Sequence, residues 1–243
     1  MARAPALSVI IPAWNEAEWL PRTLTAVQNA LSGLDRSSEI IVVDNASTDT
    51  TPQIAQRAGC RVVFEPERRI SRARNAGAEA ANGGYLLFVD ADTWPDRDLL
   101  QATLTALDSG QVCGGGAPVD FDHLNHRIYR WGARTWNTLS ARLGLAAGCY
   151  VFSTREAFAA VGGFSERVYA GEEVFLSRAL RRWGRTHGQH VEILDTPVLT
   201  SGRKADWFNP TRHLLVVLQV LLFPWSLRSR RLSWFWYTRP RRP

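Results

Sequence analysis

Strand-like and helix-like segments alternate along the first half of the chain, and this alternation restricts the fold more than any other feature. The predicted strands are short apolar runs, and the helices between them carry apolar residues at helical spacing. The strands cover residues 7–11, 39–44, 61–64 and 85–89, and the helices cover residues 17–31, 71–81 and a segment that ends near residue 57. Because alternating βα units join parallel strands through right-handed crossovers, this order predicts an α/β fold with a mostly parallel sheet flanked by helices.

Two aspartates follow the fourth predicted strand. The apolar run from Tyr85 to Val89 ends in Asp90-Ala91-Asp92. Side chains two positions apart on a strand point the same way, so both carboxylates would emerge together at the carboxyl end, where open α/β sheets bind ligands. A hard divalent ion that carries a diphosphate would compensate their repulsion. The alternative interpretation is an aspartate cap on the next helix beside a solvated turn residue.

Other polar residues are predicted at the same edge of the sheet. The loop after the first strand enters a helix, so its N–H groups and the helix dipole favour an anionic ligand, with a capped turn as the alternative. Asp44 ends the second strand and could bind a nucleobase or a ribose hydroxyl, or else cap the helix that follows. Arg72 and Asn75 lie early on the helix before the aspartates, where they could contact a base or a phosphate, although Arg72 could equally be solvated. The predicted loop residues are Pro12, Ala13, Trp14, Asn15 and Glu16.

The positive charge of the chain is concentrated at its C-terminal end. The net charge is +6, and from Ser201 onward nine Lys and Arg residues stand against a single acid, Asp206. We therefore predict a main domain at residues 1–200 and a basic extension at residues 201–243. Three scattered cysteines without a CxxC pair argue against a disulfide framework or a zinc site and fit a reducing compartment. No signal peptide is evident, so we expect a cytoplasmic protein, at the inner face of the cell membrane if the extension binds lipid.

The extension combines an apolar stretch with aromatic side chains and arginines. Residues 213–225 are apolar but too few to span a bilayer as a helix. The combination is typical of an interfacial anchor on an anionic membrane surface, and the alternatives are a helix packed on the core or a homodimer interface. Nucleic acid is not expected as a partner. The residues behind the apolar stretch are Arg228, Arg230, Arg231, Trp234, Phe235, Trp236, Tyr237, Arg239, Arg241 and Arg242.

Six motifs, in the same order along residues 7–185, resemble those of the family 2 glycosyltransferases, which adopt the GT-A fold. They are the first strand and loop at residues 8–16, the second strand with its Ser/Thr-Asp cap at residues 39–49, residues 73–77, Asp90-Ala91-Asp92, the Gly-Gly-Phe-Ser-Glu segment at residues 162–166, and Gly-Glu-Glu at residues 171–173. Residues 201–243 lie outside the resemblance.

The resemblance implies a GT-A-like nucleotide-diphospho-sugar transferase fold and a matching activity. The enzyme would move a sugar from a UDP- or GDP-sugar to a hydroxyl of a glycan, lipid or small-molecule acceptor, with inversion and with Mg²⁺ or Mn²⁺. Asp90 and Ala91 would contact the nucleotide at its ribose, and Asp92, with Asp90 beside it, would hold the metal. The alternatives are a retaining glycosyltransferase or a nucleotidyltransferase of similar fold, and a non-catalytic module that binds a sugar nucleotide or a membrane.

Two adjacent glutamates are the candidates for the catalytic base. A carboxylate within hydrogen-bond reach of a sugar hydroxyl can remove its proton during attack. The resembling family usually has Glu-Asp at this position, with the Asp as base. Glu173 stands in that register with one more methylene, and Glu172 is the alternative. Two acids at a helix N-terminus are also what stabilisation of the helix dipole alone would select.

Overall fold

A seven-stranded sheet runs through the centre of the protein, and the computed structural model describes residues 5–238. The strands are β1 (Leu7–Ala13), β2 (Ser38–Asp44), β3 (Arg61–Phe64), β4 (Tyr85–Val89), β5 (Thr93–Trp94), β6 (Val112–Gly116), β7 (Val119–Phe121), β8 (Tyr150–Thr154), β9 (His190–Ile193) and β10 (Val198–Thr200). The large sheet has the order β3-β2-β1-β4-β8-β6-β9, and β5, β10 and β7 form a small second sheet.

Helices cover both faces of the large sheet. They are α1 (Leu20–Ser32), α2 (Thr51–Arg57), α3 (Ile70–Ala80), α4 (Arg97–Asp108), α5 (Arg127–Leu143), α6 (Arg155–Ala160), α7 (Glu172–Thr186), α8 (Arg203–Trp207), α9 (Pro210–Leu222) and α10 (Trp234–Tyr237). The strands β3, β2, β1 and β4 are parallel neighbours, whereas β8 runs antiparallel to β4 and β6. The predicted α/β fold with a mostly parallel sheet is confirmed.

Alternate side chains of β1 enter different hydrophobic cores. Val9 and Ile11 pack with residues of α1, α2 and α4 on one face of the sheet, whereas Ile10 packs with residues of α3, α6 and α7 on the other. All three side chains are fully buried. A strand that is covered on both faces reads as a continuous apolar run, which explains why this segment is recognisable in the sequence.

The glycine run at residues 114–116 lies within β6, although periodicity predicts a strand over residues 112–119 that these glycines interrupt. A Cβ atom on Gly115 would overlap the carbonyl oxygen of Glu192 in β9 and would lie 2.6 Å from Cζ of Phe152 in β8. The glycines therefore let neighbouring strands approach closely. The predicted strand is in fact two strands, β6 and β7, with Ala117 and Pro118 between them.

The segment after β10 folds back onto the main sheet domain. Arg68 donates to the carbonyl of Tyr237 at 2.7 Å, and the Tyr237 hydroxyl donates to the carbonyl of Tyr169 at 2.9 Å. Within residues 5–238, no helix has both the length and the apolar character that are needed to cross a bilayer. Of the predicted basic cluster, Arg239, Arg241 and Arg242 lie outside the described residues.

Candidate active site

The carboxyl ends of β2, β1 and β4 lie side by side. Ala13 at the end of β1 pairs with Asp44 at the end of β2, and Asp90 follows β4 directly. The N–H of Asp90 donates to the carbonyl of Cys149 at 3.1 Å, so the residue just before β8 holds the start of the aspartate turn. The sheet therefore brings the first loop, Asp44 and the aspartate pair to one edge.

A buried arginine links the aspartate pair to the two glutamates. Nη2 of Arg74 lies 2.8 Å from Oδ1 of Asp90, and Nη1 lies 2.5 Å from Oε1 of Glu172. Nη2 also donates to the carbonyl of Gly148 at 2.6 Å. Burial of Arg74 opposes its charge, but the two carboxylates outweigh burial and raise the pKa of the guanidinium. Arg74 is therefore a permanent positive charge between the end of β4 and the start of α7.

A second buried arginine contacts the predicted metal ligand. Nη2 of Arg203, in α8, lies 2.8 Å from Oδ2 of Asp92. The same guanidinium donates to both oxygens of Glu16, at 2.8 and 2.7 Å. Burial raises the pKa of Asp92 to about 6, although the charge of Arg203 acts in the opposite direction. Glu16, predicted from the sequence as a nucleotide-loop residue, is thus an ion-pair partner within the protein.

The two adjacent glutamates differ in their surroundings. The region between the ends of β1, β2 and β4 and the starts of α7 and α8 is called the crevice. Glu172 is 3% exposed and is paired with Arg74, whereas Glu173 is half-buried at the surface of this region. A Cβ atom on Gly148 would lie 3.4 Å from Cδ of Glu173, so this carboxylate faces the same loop that Arg74 binds. Burial and the charge of Glu172 raise the pKa of Glu173 to about 8. A carboxylate with a raised pKa is a stronger proton acceptor once it is ionised.

The first loop is held by side chains of the loop after β2, which corrects the expectation that its N–H groups bind an anion. Three N–H groups of the first loop donate to those side chains: Asn15 to Ser47 at 3.0 Å, Glu16 to Thr51 at 2.8 Å, and Ala17 to Asp49 at 3.1 Å. The capped-turn alternative therefore describes these donors. Pro12 and Ala13 belong to β1, and the guanidinium of Arg68 lies 3.2 Å from the ring centroid of Trp14.

Asp44 and Ala91 both make contacts that stabilise the fold. Oδ1 of Asp44 accepts a hydrogen bond from the N–H of Ser47 at 3.0 Å, so the carboxylate closes the turn that follows β2. Ala91 is 4% exposed, and its carbonyl accepts from the hydroxyl of Thr23 at 2.7 Å. Its methyl group lies in a hydrophobic core. This placement does not support a contact between the Ala91 side chain and a nucleotide, and the contact of Asp44 with a base or ribose stays a prediction.

Arg72 and Asn75 are joined to the loop that precedes the glutamates. Arg72 forms ion pairs with Glu65 at 3.2 Å and with Glu166 at 3.5 Å. Oδ1 of Asn75 accepts from the N–H of Phe164 at 2.9 Å, and Nδ2 donates to the Phe164 carbonyl at 3.0 Å. Both side chains therefore hold α3 to the segment around Phe164, and their contact with a nucleotide stays a prediction.

Arg74 and Arg203 are the two site residues that the sequence analysis does not single out. Arg74 shares the buried face of α3 with Ala73, Gly77 and Ala78, so a lone charge on a face of small residues is the signal in the sequence. The charge distribution of the sequence places Arg203 in the basic extension, which is predicted to face an anionic surface. This interpretation is wrong for Arg203, because its side chain is only 10% exposed and points into the crevice.

Comparison with known proteins identifies the family. The profile of the family described as Glycosyl transferase family 2 matches residues 8–162, which is more than half of the chain. The chain belongs to this family. The match covers β1 to β8 and the aspartate pair, and the glutamates of α7 lie beyond it.

Among the curated relatives of this family 2 glycosyltransferase is glycosyltransferase AglE of Haloferax volcanii. It is 34% identical over 127 residues, which cover 50% of this chain and 41% of AglE. The chain therefore spans less than half the length of that relative.

Solved structures confirm the GT-A fold. Mannosyltransferase PcManGT from Pyrobaculum calidifontis, solved with GDP-Man and Mn²⁺, superposes with a TM-score of 0.64 at 21% identity, covering 89% of this chain and 61% of that one. Glucosyl-3-phosphoglycerate synthase from Mycobacterium tuberculosis, solved with Mn²⁺, UDP-glucose and phosphoglyceric acid, superposes with a TM-score of 0.62 at 18% identity. Here the superposition covers 94% of this chain and 80% of the other.

Proposed function

We propose that this family 2 glycosyltransferase moves a sugar from a UDP- or GDP-sugar to a hydroxyl group of a glycan, lipid or small-molecule acceptor, with inversion at the anomeric carbon. The Arg74 bridge supports the proposal most directly. One buried guanidinium joins Asp90 on the donor side to Glu172, which is next to Glu173 on the acceptor side. The groups needed at the two ends of a displacement reaction therefore surround one crevice.

The aspartate pair fits a divalent ion that is shared with the donor. Mg²⁺ prefers oxygen ligands and commonly takes one or two carboxylates together with phosphate oxygens, and the same hard ligands suit Mn²⁺. Asp90 and Asp92 each give one oxygen to an arginine, which leaves lone pairs for a metal. Across residues 5–238, no group of three or more His, Cys, Asp or Glu side chains is placed to hold a metal ion. The remaining ligands would therefore be phosphate oxygens of the donor. When bound there, the ion would neutralise charge on the leaving nucleoside diphosphate.

Glu173 is the general base of the proposed reaction. Its carboxylate takes the proton of the acceptor hydroxyl while the acceptor oxygen forms a bond to the anomeric carbon. The bond from that carbon to the diphosphate breaks on the opposite face, and its electron pair leaves with the phosphate oxygen. A single displacement of this kind inverts the anomeric centre. Burial raises the pKa of Glu172, while the ion pair with Arg74 acts in the opposite direction and holds this carboxylate in place, so that Glu173 is the carboxylate left to exchange a proton with the acceptor.

A thermal-shift screen of UDP, GDP, CDP and ADP, each with and without Mn²⁺, tests the donor class. A ligand at 100 times its dissociation constant stabilises a protein by roughly 2.7 kcal/mol. At this chain length, each kcal/mol raises Tm by roughly 2–4 °C. We expect a shift of several degrees with UDP or GDP that depends on Mn²⁺. If none of the four nucleotides raised Tm, with or without Mn²⁺, the proposal would be contradicted.

The anomeric configuration of the product separates inversion from the alternatives. Proton NMR of the glycoside formed from an α-linked donor should show the β anomer. An α product would identify a retaining enzyme. Nucleotide binding without turnover, across sugar, lipid and small-molecule acceptors, would support the non-catalytic module instead.

We also propose that α9 holds the enzyme against an anionic membrane surface. Within α9 only Val216 is buried, so the core-packing alternative does not describe this helix. Six of its apolar side chains are 42–71% exposed: Leu214, Leu215, Val217, Leu218, Leu221 and Leu222. Phe223 and Trp225 extend this exposed surface, and the exposed Arg228 lies three residues after Trp225. Exposed apolar and aromatic side chains beside arginines are typical of helices that lie in the interface of an anionic bilayer.

Co-sedimentation with vesicles of phosphatidylglycerol and phosphatidylcholine tests the membrane proposal. The full chain should sediment with the anionic vesicles at low salt and less at high salt, because salt screens the arginines. Leu221→Asp should reduce sedimentation, whereas Phe64→Asp, at a residue that is 64% exposed on β3, should not. No sedimentation at low salt would reject the proposal, and a dimer in analytical ultracentrifugation would then assign α9 to a subunit interface.

A further inference from the structure

Ion pairs and aromatic rings hold Arg203 at the position where it meets Asp92. Besides its bonds to Glu16 and Asp92, the guanidinium lies between two aromatic rings, with Cζ 5.4 Å from the centroid of Trp19 and 5.2 Å from that of Trp207. Such faces attract a cation that has lost its water. Arg203 is therefore a buried counter-ion of the carboxylates in the crevice.

The backbone before Arg203 is tied to the aspartate turn itself. The N–H of Ser201 donates to the carbonyl of Asp92 at 3.0 Å, and the hydroxyl of Thr200 donates to the same carbonyl at 3.2 Å. The N–H of Gly202 donates to Oδ1 of Asp122 at 2.8 Å. These bonds hold the start of α8 beside Asp92, so Arg203 stays near this carboxylate even when its side chain shifts.

Carboxylates outnumber guanidinium groups in the crevice. The acids are Glu16, Asp90, Asp92, Glu172 and Glu173, and the bases that pair with them are Arg74 and Arg203. A nucleoside diphosphate adds more negative charge, so it needs a further cation to enter. A free divalent ion, in contrast, must compete with Arg203 for Asp92 and must bind beside this positive charge.

We propose that Arg203 couples metal binding to donor binding. It neutralises Asp92 in the donor-free protein, so a divalent ion binds Asp92 strongly only together with a nucleoside diphosphate. This inference rests on the proposed role of Asp92 as a metal ligand. When the ion takes Asp92, Arg203 keeps its two bonds to Glu16, and its charge remains beside the incoming phosphates. Because coupling is reciprocal, the metal and the nucleotide strengthen the binding of each other by the same factor.

Electron paramagnetic resonance of free Mn²⁺ measures this coupling without relying on turnover. UDP and GDP themselves chelate Mn²⁺, so a protein-free titration of each nucleotide gives the amount of Mn²⁺ to subtract. After this subtraction, wild type should bind Mn²⁺ alone weakly, and saturating UDP or GDP should lower the dissociation constant of Mn²⁺ by about tenfold or more, within the usual range of coupling between sites. Equal affinity for Mn²⁺ with and without these nucleotides would overturn the inference. This measurement needs no variant, so it does not depend on the folding of a mutant.

Substitution of Arg203 gives the second test. Arg203→Gln should tighten the binding of Mn²⁺ alone by about tenfold, the usual scale of such coupling. Arg57→Gln removes the same charge from an exposed position in α2 and should change the affinity by less than about twofold, since exposed charges are screened. One outcome is that Arg203→Gln leaves the affinity for Mn²⁺ alone unchanged or weakens it, while wild type binds Mn²⁺ together with UDP or GDP. The coupling role of Arg203 then fails, and the donor-site proposal stands. If wild type and Asp92→Asn bind no Mn²⁺ with either nucleotide, the donor-site proposal fails, and the inference fails with it.

Discussion

At the scale of single residues, the contrast between Glu172 and Glu173 supports Glu173 as the proposed general base. Glu172 is buried against Arg74, and this ion pair holds its carboxylate in place. Glu173 is half-buried, and burial together with the charge of Glu172 raises its pKa to about 8. A base whose pKa lies near the working pH combines a useful ionised fraction with a strong tendency to accept a proton.

Glu173→Gln should lower turnover by roughly 10²–10⁴-fold, the usual contribution of a general base. Nucleotide affinity should stay near the wild-type value, because the predicted donor contacts lie at the ends of β1, β2 and β4. Steady-state kinetics and calorimetry with UDP or GDP measure the two effects separately. A large loss of turnover in Glu172→Gln, with near-normal turnover in Glu173→Gln, would transfer the base to Glu172.

The raised pKa of Glu173 predicts opposite effects of pH on activity and stability. Turnover should rise with pH up to about 8, because the ionised form accepts the proton. The folded protein retains a proton on Glu173 that the unfolded chain loses above about pH 4.5. The free energy of unfolding should therefore fall between these pH values.

Glu173→Gln removes this titration, so urea denaturation separates the two proteins by pH. The variant should be more stable than wild type at pH 9 by about 1–2 kcal/mol, a figure that allows for solvent reaching the half-buried carboxylate. At pH 5 the difference should be small. Equal stabilities at pH 9 would show that Glu173 ionises in the fold as easily as in water.

At the scale of secondary structure elements, the close packing of β8, β6 and β9 holds β8 in place. Cys149, directly before β8, accepts the hydrogen bond from the N–H of Asp90. Gly115→Ala would push a methyl group into the backbone of Glu192 and the ring of Phe152. We expect this substitution to lower the free energy of unfolding by about 3 kcal/mol, at the upper end for overpacking, because backbone atoms cannot move aside.

Gly132→Ala is the matched control for this prediction. Gly132 lies in the exposed middle of α5, and nothing lies within 4 Å of a Cβ atom added there. Alanine should therefore stabilise the protein by about 0.5–1 kcal/mol through its helix propensity. Urea denaturation of both variants measures the difference. If Gly115→Ala were as stable as Gly132→Ala, the strands around Gly115 would have to move apart at little cost in free energy.

The sequence predicts some elements and misses others for physical reasons. β1, β2 and β4 are recognisable because strands buried on both faces read as continuous apolar runs bounded by turn residues. β8 is missed, because five residues, Tyr150–Thr154, give little periodicity and their antiparallel place depends on pairing with β4 and β6. Asp44, Asp90 and Asp92 are predictable from strand ends, whereas Glu172 and Glu173 are predicted from the resemblance to the family. Arg203 is not, because its partner Glu16 lies 187 positions away.

At the scale of the whole molecule, the chain after β10 completes the crevice instead of forming a separate tail. The predicted boundary at residue 200 separates Arg203 from Asp92, although the two side chains are in contact. Tyr237 is joined to Tyr169, two residues before the N-cap of α7. The division into residues 1–200 and 201–243 stays a prediction as a statement about folding units, but the site draws on both parts.

Binding of UDP- and GDP-sugars to the wild-type protein and to Asp92→Asn, measured by calorimetry with and without Mn²⁺, tests the central claim most directly. We expect wild type to bind one of these donors in a Mn²⁺-dependent manner, and Asp92→Asn to keep its circular dichroism spectrum while it loses the Mn²⁺-dependent part of the affinity. Mn²⁺-dependent donor binding of equal strength in both proteins would contradict the assignment of Asp92. The absence of donor binding to wild type under any of these conditions would contradict the proposed function itself.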